Sequence, residues 1–356
     1  MCPSAASLPL ALILLFAVVF AGSPVSFQNT TTITSLLSGR WFDYVVVIML
    51  ENHSINYTYD NGSGSCIGNC TYFTSLANAN GLAEGYTNTG SQGTGSVSNY
   101  VSITSGNGTL SPSCDNGVYP FELDGCSPLP IPNIVDSLEI AHLTWKAYME
   151  GYPITSGCYN KPTGGPNYYV PNHNPFVYYL DIQDNAARCS HIVPANFLDP
   201  RPTNATLPRC WPTTIENDDL FINDLNSVAT SSNYMFLTPN TIDDNHDCND
   251  VSVSNAWVQQ TVPQILNSVL FRTKRAALFI TFDEPNCTFA GCPSAASQLY
   301  TVWASNPANA ITKAAFKSSQ SYTHFSALRT VEDNWALPPL VASTDGLAGD
   351  MQEFFQ

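Results

Sequence analysis

The chain has 356 residues, of which 44% are hydrophobic and 12% aromatic, so it can bury a large core and is not a disordered polypeptide. Only 11% of the residues are charged, and 28 acidic side chains against 12 basic ones give a formal net charge of −16. Because so acidic a protein repels a phosphate backbone, the composition excludes the nucleic-acid-binding classes.

The N-terminus carries an apolar run at residues 8–20, followed by small residues. The run is too short to span a bilayer comfortably and is typical of a signal peptide, which we place at residues 1–22. Residues 23–40 then form a Ser/Thr-rich segment, and the protein is expected to be secreted and extracellular. No Lys or Arg precedes the run, so an uncleaved membrane anchor stays open as the alternative.

Export changes the expected role of the 11 cysteines, because an oxidising compartment favours disulfides. Removal of the leader would discard Cys2 and leave an even number. Three pairs are close enough in sequence to close local loops, although spacing does not fix pairing: Cys66 with Cys70, Cys114 with Cys126, and Cys287 with Cys292. A zinc thiolate site at CIGNC is the alternative, but no second Cys/His pair occurs at a matching interval. Sequons that fit a glycoprotein occur at Asn29, Asn56, Asn61, Asn69, Asn107 and Asn204.

In chain order, the predicted elements are strands at 44–50, 143–150 and 234–238, a helix at 254–270, strands at 276–282 and 300–305, and a helix at 323–337. Three of the strands are continuous apolar runs, which is typical of strands covered on both faces in a parallel sheet. No internal repeat or second linker is visible. The pattern predicts one α/β domain over residues 41–356, a three-layer α/β/α sandwich around a largely parallel central sheet.

Polar side chains follow each of the three apolar strands. Glu51 and Asn52 come after the first strand, the second leads through PNTI into residues 243–247 (DDNHD), and Asp283 and Glu284 end the third. In open α/β sheets the carboxyl ends of the strands meet at one edge, where ligands bind. Carboxylates crowded there repel unless a cation or a proton neutralises them. The sequence therefore predicts a metal site, with solvated loop residues as the alternative.

Eight segments resemble a known family, the secreted acid phosphatase and phospholipase C type phosphoesterases, which are similar in fold to alkaline phosphatase. They are VVVIMLENHS, GSVSNYVSITSG, YMEGYP, HNPFVYY, TPNTIDDNHDC, NAWVQQTVPQIL, LFITFDE and YTHFSALRTVEDNWALPPL. They occur in the family's order between Trp41 and Leu340. Because the chain ends soon after Leu340, where phospholipase members continue, we expect the acid phosphatase branch.

The resemblance implies a metal site made by Glu51, Asn52, Asp283 and Glu284. Oxygen ligands of this kind suit a hard divalent cation such as Ca²⁺, Mg²⁺ or Mn²⁺.

The resemblance also places the nucleophile in GTGSVSNYVSITSG. In the wider superfamily a Ser or Thr stands three residues before an Asn at the head of a helix, and Ser96 has that relation to Asn99. A helix N-terminus favours phosphoryl oxygens, and a metal lowers the pKa of a hydroxyl. Asn99 would bind the same oxygens. Ser98 is the rival nucleophile. The sequence departs from the family pattern at this position, where many relatives have Pro.

Four histidines lie within the resembling segments, and His53 among them is expected to pack or cap rather than react. His246 and His324 are expected to act in catalysis, by protonating the leaving alkoxide or binding phosphoryl oxygens. Substrate binding is expected from His173, Asn174 and Asp244, together with Asn99. The alternative for these histidines is a structural role, in which the ring forms hydrogen bonds with loop carbonyls.

The sequence thus predicts a secreted, metal-dependent acid phosphatase that hydrolyses small phosphomonoesters through a serine phosphoenzyme. A phospholipase C type phosphodiesterase is the first alternative, and a non-catalytic cell-surface glycoprotein is the second. A membrane would be a partner only if the leader is uncleaved or the substrate is a phospholipid.

Overall fold

The computed structural model describes residues 38–60, 62, 66, 68–89, 95–108, 110, 128–163, 167–196, 210, 219–248, 250–285 and 298–356. The predicted signal peptide, most of the Ser/Thr-rich segment and four of the paired cysteines lie outside these residues: Cys114, Cys126, Cys287 and Cys292. So do the sequons at Asn29, Asn61 and Asn204. No helix among the described residues has the length and apolar content needed to cross a membrane.

The described strands, in chain order, are β1 Tyr44–Leu50, β2 Gly81–Ala83, β3 Tyr86–Thr87, β4 Trp145–Met149, β5 Ile192–Pro194, β6 Tyr234–Thr238, β7 Ala276–Phe282, β8 Val302–Ala304, β9 Phe316–Ser318 and β10 Tyr322–Thr323. Eight of them form one sheet in the order β5-β4-β6-β1-β7-β8-β2-β9, and β10 pairs with β3. Within the sheet, β8 runs antiparallel to both of its neighbours, and the other pairs are parallel.

The described α-helices are α1 Ile55–Thr58, α2 Thr71–Ala79, α3 Gly95–Ser105, α4 Ile134–Ile140, α5 Leu180–Gln183, α6 Ala186–Cys189, α7 Leu220–Leu225, α8 Ser252–Leu266, α9 Val269–Thr273 and α10 His324–Asn334. Short 3-10 helices lie at Pro171–His173, Pro175–Val177, Pro307–Asn309, Asp345–Leu347 and Gln352–Phe354. The helices flank a mostly parallel sheet, which confirms the predicted α/β class.

The three continuous apolar runs are confirmed as β6, β1 and β7, which are neighbours at the centre of the sheet. Every residue of these strands is buried, because both faces are covered. In the parallel register Ile48 lies opposite Leu237, and Leu50 lies opposite Phe282. The polar residues after the three strands therefore emerge at the same edge.

The remaining predicted elements are also present, with two differences. The predicted helix at 254–270 is two helices, because α8 ends at Leu266 with Asn267 as its C-cap. Ser268 then caps α9 by accepting a hydrogen bond from the Phe271 amide. The predicted strand at 300–305 is the antiparallel β8. The helix predicted at 323–337 begins at His324 and ends at Asn334, with Thr323 and Ser326 forming a capping box.

Three disulfides join described cysteines. Cys66–Cys70 confirms one of the local pairs. The other two, Cys158–Cys189 and Cys210–Cys248, were not predicted, because they close loops of 31 and 38 residues that spacing alone does not reveal.

Candidate active site

Two carboxylates meet where the central strands end. Glu51 directly follows β1 and Asp283 directly follows β7, and both are fully buried. The Asp283 amide donates to the Leu50 carbonyl at 2.9 Å, and Asp283 Oδ1 accepts from the Asn52 amide at 2.8 Å. Asn52 has a φ of 58°, a left-handed conformation that Asn tolerates better than most residues. This turn delivers Glu51 and Asp283 to one point.

The loop after β6 adds a third carboxylate. The Glu51 amide donates to the Asp244 carbonyl at 2.8 Å, so this loop is fastened to the end of β1. Asn240 holds its first turn by accepting from the Ile242 amide at 3.0 Å, and Thr241 donates to Asp247 Oδ2 at 2.9 Å. The Asp244 side chain is thereby fixed in the interior.

His173, from a short 3-10 helix, joins two of these carboxylates. Its Nδ1 lies 2.8 Å from Asp244 Oδ2, and its Nε2 lies 3.4 Å from Glu51 Oε1. Glu51, His173 and Asp244 are all buried, and one ligand atom from each lies within 4.8 Å of the others. The sequence assigned His173 and Asp244 to the substrate, but the structure groups them with a predicted metal ligand.

The carboxylates of this cluster favour a positive partner. Burial, followed by the charges of Asp283 and Asp244, raises the pKa of Glu51 well above its usual value. Burial likewise raises the pKa of Asp244 and of Asp283. Glu51 Oε1 and Asp283 Oδ2 are buried and accept no hydrogen bond of ordinary geometry from the described residues, although the two carboxyls face one another. Such groups are neutralised by a bound proton or a cation.

Asn52 and Glu284, the other predicted metal ligands, lie at the margin of this cluster and are only half-buried. The contact that the structure shows for Asn52 is made by its backbone amide. Glu284 Oε2 accepts a hydrogen bond from Asn99 Nδ2 at 3.0 Å. Through these contacts both residues lie beside the buried carboxylates, and their role as metal ligands stays a prediction.

The expected nucleophile points into the cluster. Ser96 is the second residue of α3, and its Oγ donates to Glu51 Oε2 at 2.9 Å. Its side chain is at the edge of the interior, 7% exposed, whereas Ser98 is fully buried at 0%. Two positions along a helix turn a side chain to a different face, so Ser96 and Ser98 do not share this environment.

His246 lies beside the cluster and has a protonatable ring. Its amide donates to Asp244 Oδ1 at 2.7 Å, and its Nδ1 lies 3.1 Å from Asp247 Oδ1. Burial works to lower the pKa of His246, but the hydrogen bond with Asp247 and the charge of Asp244 outweigh it and raise that pKa above its usual 6.5. The His246 ring is also 5.2 Å from the His173 ring.

His324 has a different environment. Its Nε2 donates to the Asp283 carbonyl at 2.6 Å, and its Nδ1 accepts from the Tyr86 hydroxyl at 3.0 Å. Burial lowers the pKa of His324 to about 4. Both ring nitrogens are engaged, and the hydrogen bond to the Asp283 carbonyl holds the turn that carries Asp283. The catalytic role expected of His324 stays a prediction.

Asn174 lies in the interior directly after the 3-10 helix that carries His173. Its side chain is fully buried, and its amide donates to the Tyr169 hydroxyl at 3.1 Å. This hydrogen bond ties Asn174 to a tyrosine rather than to the carboxylates, so its role in substrate binding stays a prediction.

Tyr100 belongs to the cluster, although sequence analysis did not single it out. Its ring stacks on the His173 ring, and its phenol lies close enough to Glu51 for the carboxylate to raise its pKa, after burial as the larger cause. Its position four residues after Ser96 places it on the same face of the helix, and this spacing is the feature of the sequence that could have identified it.

A model of the phosphoesterase family matches residues 68–338. A phosphate-repressible acid phosphatase of Penicillium chrysogenum is 30% identical over 232 residues, which cover 62% of this chain and 47% of that protein. An acid phosphatase of Aspergillus niger is 28% identical over 217 residues, which cover 60% of this chain and 44% of that protein. The chain thus spans about half the length of the acid phosphatases it matches.

Among solved structures, a protein in the alkaline phosphatase superfamily from Vibrio parahaemolyticus aligns with a TM-score of 0.51. The alignment covers 85% of this chain and 68% of that one at 12% identity. At such low identity the likeness concerns the fold alone, and it confirms the expected alkaline-phosphatase-like architecture.

Proposed function

The chain belongs to the phosphoesterase family, and from this premise we propose that it is a metal-dependent acid phosphatase that hydrolyses phosphomonoesters through a serine phosphoenzyme. The observation that carries the proposal is the hydrogen bond from Ser96 Oγ to Glu51 Oε2, because it directs a hydroxyl at the head of a helix into a buried carboxylate cluster. The similarity to fungal acid phosphatases supports the same activity.

The residues of the cluster fit a hard divalent cation. Glu51 Oε1 and Asp283 Oδ2 are buried acceptors without a hydrogen bond from the described residues, and Asp244 and His173 add an oxygen and a nitrogen ligand nearby. We propose that Glu51 and Asp283 hold the ion, with His173 and Asp244 in the same shell and Asn52 and Glu284 at its margin. When bound, the cation would lower the pKa of the nucleophile and neutralise charge on the phosphoryl oxygens.

In the first step, Ser96 Oγ attacks phosphorus and its proton passes to Glu51 Oε2. The bond from phosphorus to the leaving oxygen breaks, and that oxygen takes a proton from the His246 ring. In the second step, a water molecule attacks the phosphoserine and gives a proton to His246. The Oγ–P bond breaks, and Ser96 recovers its proton from Glu51, so the enzyme returns to its initial state.

We propose that Asn99, one turn into the helix that carries Ser96, binds a phosphoryl oxygen. Its amide nitrogen donates to the Gly95 carbonyl at 3.3 Å and to Glu284 Oε2 at 3.0 Å, and the phosphoryl oxygen would replace one of these two acceptors. Asn99 and Ser96 would then act on the same phosphoryl group.

We also propose that the protein works outside the cell. Three disulfides among the described residues support an oxidising compartment. Two sequon residues, Asn56 and Asn69, have exposed side chains that a glycan could occupy.

A substrate panel tests the proposed activity. Purified full-length chain with saturating Mn²⁺ should release phosphate from a small aryl phosphate and leave phosphatidylcholine vesicles intact. Diacylglycerol release without phosphate release would favour a phospholipase C type enzyme. Absence of both activities, in protein with a cooperative unfolding transition, would favour a non-catalytic glycoprotein.

A further inference from the structure

Tyr100 lies on the same helix face as the proposed nucleophile. It follows Ser96 by four residues in α3, and side chains at positions i and i+4 of a helix lie one above the other. Ser96 reaches Glu51 from the first turn of this helix. The next turn therefore presents the Tyr100 phenol to the same carboxylate.

Two aromatic neighbours fix the orientation of the Tyr100 ring. The ring stacks on His173 with centroids 5.5 Å apart and an interplanar angle of 3°. Phe236, from β6, packs against it at 6.2 Å and 55°. Tyr100 is fully buried, so its ring cannot turn away without disturbing both neighbours.

The hydroxyl of Tyr100 has an unusual position. It faces Glu51, with Asp244 and Asp283 also nearby, but it forms no hydrogen bond of ordinary length and angle with the described residues. Glu51 Oε1 likewise has no such bond. Buried donors and acceptors are nearly always paired in folded proteins. The Tyr100 hydroxyl and the Glu51 carboxylate are thus a buried donor and a buried acceptor that lie close enough to interact.

We propose that Tyr100 is a positioning residue whose hydroxyl donates to the Glu51 carboxylate and, together with Ser96, sets the orientation in which Glu51 meets the metal ion. The stack of the Tyr100 ring on the His173 ring also holds His173 in the orientation in which it contacts Glu51 and Asp244. Tyr100 contacts neither substrate nor leaving group and acts through Glu51. The inference rests on the proposed function for the identity of the site, and it adds a residue that holds the site in shape.

The test compares Tyr100→Phe with Tyr100→Leu. Phe keeps the ring between His173 and Phe236 and removes only the hydroxyl, whereas Leu removes both. Each purified protein is stripped with a chelator and titrated with Mn²⁺ by calorimetry, and kcat and KM are measured with an aryl phosphate. Tyr100→Phe should weaken Mn²⁺ binding at least about fivefold and lower kcat about tenfold, with KM within about twofold and the thermal unfolding midpoint unchanged.

Tyr179→Phe is the matched control. Its hydroxyl is buried and lies 2.6 Å from Thr104 Oγ1, near the other end of the same helix. This variant should keep the wild-type kcat and Mn²⁺ affinity, because Thr104 is remote from the carboxylates along the helix.

The proposal is overturned if Tyr100→Phe binds Mn²⁺ and turns over like the wild type while only Tyr100→Leu is impaired, because Tyr100 would then serve packing alone. Equal losses in Tyr179→Phe would also overturn it. A wild-type protein that binds Mn²⁺ but releases no phosphate would overturn the proposed function, and the calorimetric comparison would still decide the role of Tyr100.

Discussion

The Ser96 hydroxyl donates a 2.9 Å hydrogen bond to Oε2 of Glu51, a residue 45 positions earlier in the chain. The bond links the helix that begins at Gly95 to the end of the central strand β1. It brings the proposed nucleophile and the proposed metal ligand into one unit, so each can be tested by a substitution that leaves the other in place.

Ser96→Ala should lower kcat by about 10³-fold or more, because the phosphoryl group loses its acceptor. Bound metal should remain, since the Glu51 and Asp283 carboxylates are unchanged. Ser98→Ala is the control and should change kcat little, because Ser98 is fully buried on a different face of the helix. The measurements are steady-state kinetics and metal content by elemental analysis, and a reversed order of the two variants would show that Ser98 is the nucleophile.

Asp283→Asn should reduce activity below about 1% and weaken metal binding more than about tenfold, because it removes the negative charge of a buried, proposed metal ligand. The amide keeps an oxygen that can accept from the Asn52 amide, as Asp283 Oδ1 does at 2.8 Å, so the turn should persist. Asp333→Asn is the control, because Asp333 pairs with Arg329 on α10 away from the cluster. Full activity and metal content in Asp283→Asn would contradict the metal site.

The effect of His246→Asn on kcat should depend on the leaving group of the substrate. With an alkyl phosphate the loss of the proton donor should lower kcat by about 10²-fold or more, whereas p-nitrophenyl phosphate, whose leaving group needs little protonation, should lose about tenfold or less. Equal losses with both substrates would assign His246 a structural role.

The pH profile with saturating metal should fall on the alkaline side. The pKa of His246 is raised above its usual 6.5, so the protonated ring that donates to the leaving group is present below that pKa and is lost as the pH rises through it. Protonation of the carboxylates that are proposed to bind the metal should limit the rate in acid. A rate that still climbs at about pH 8 and above would contradict the acid phosphatase assignment.

A second buried carboxyl pair predicts the pH dependence of stability. Burial, followed by the charge of Asp345, raises the pKa of Glu332 to about 9. Leu340 donates its amide to both side chains, and Arg329 Nη1 lies 3.8 Å from Glu332 Oε2. The folded state therefore keeps a proton on Glu332 that the unfolded chain releases near its usual pKa of 4.5. This contribution to stability is complete below about pH 4.5 and is lost as the pH rises toward 9.

Glu332→Gln should flatten this dependence, because the amide can donate to Asp345 at any pH. In the wild type the group contributes a fall of up to about 1.4 kcal/mol in the free energy of unfolding per pH unit within that window. Urea unfolding at about pH 5, 6.5 and 8 measures it, with Glu84→Gln as a control at an exposed position. An unchanged slope in Glu332→Gln would show that Glu332 is not the responsible group.

The sequence by itself determined the central strands and the polar residues at their carboxyl ends. The runs at β1, β6 and β7 are apolar throughout, and such patterning depends only on whether both faces of a strand are covered. The placement of Glu51 and Asp283 at one edge results from the parallel direction of neighbouring strands. Cys66 and Cys70 could be paired because only four positions separate them.

The tertiary structure alone decided which distant side chains lie together in the buried cluster. His173 lies 71 positions from Asp244, and its loop carries no periodic pattern that could predict that it would join Asp244 and Glu51. The contacts of His324 and Tyr100 could not be predicted from the sequence either. The His324 ring is held by the Asp283 carbonyl, and the Tyr100 ring stacks on His173, so both contacts join separate elements. Local sequence fixes the period and direction of an element, but the distance between two loops depends on how whole elements pack, and ligand geometry is sensitive to differences of about 1 Å.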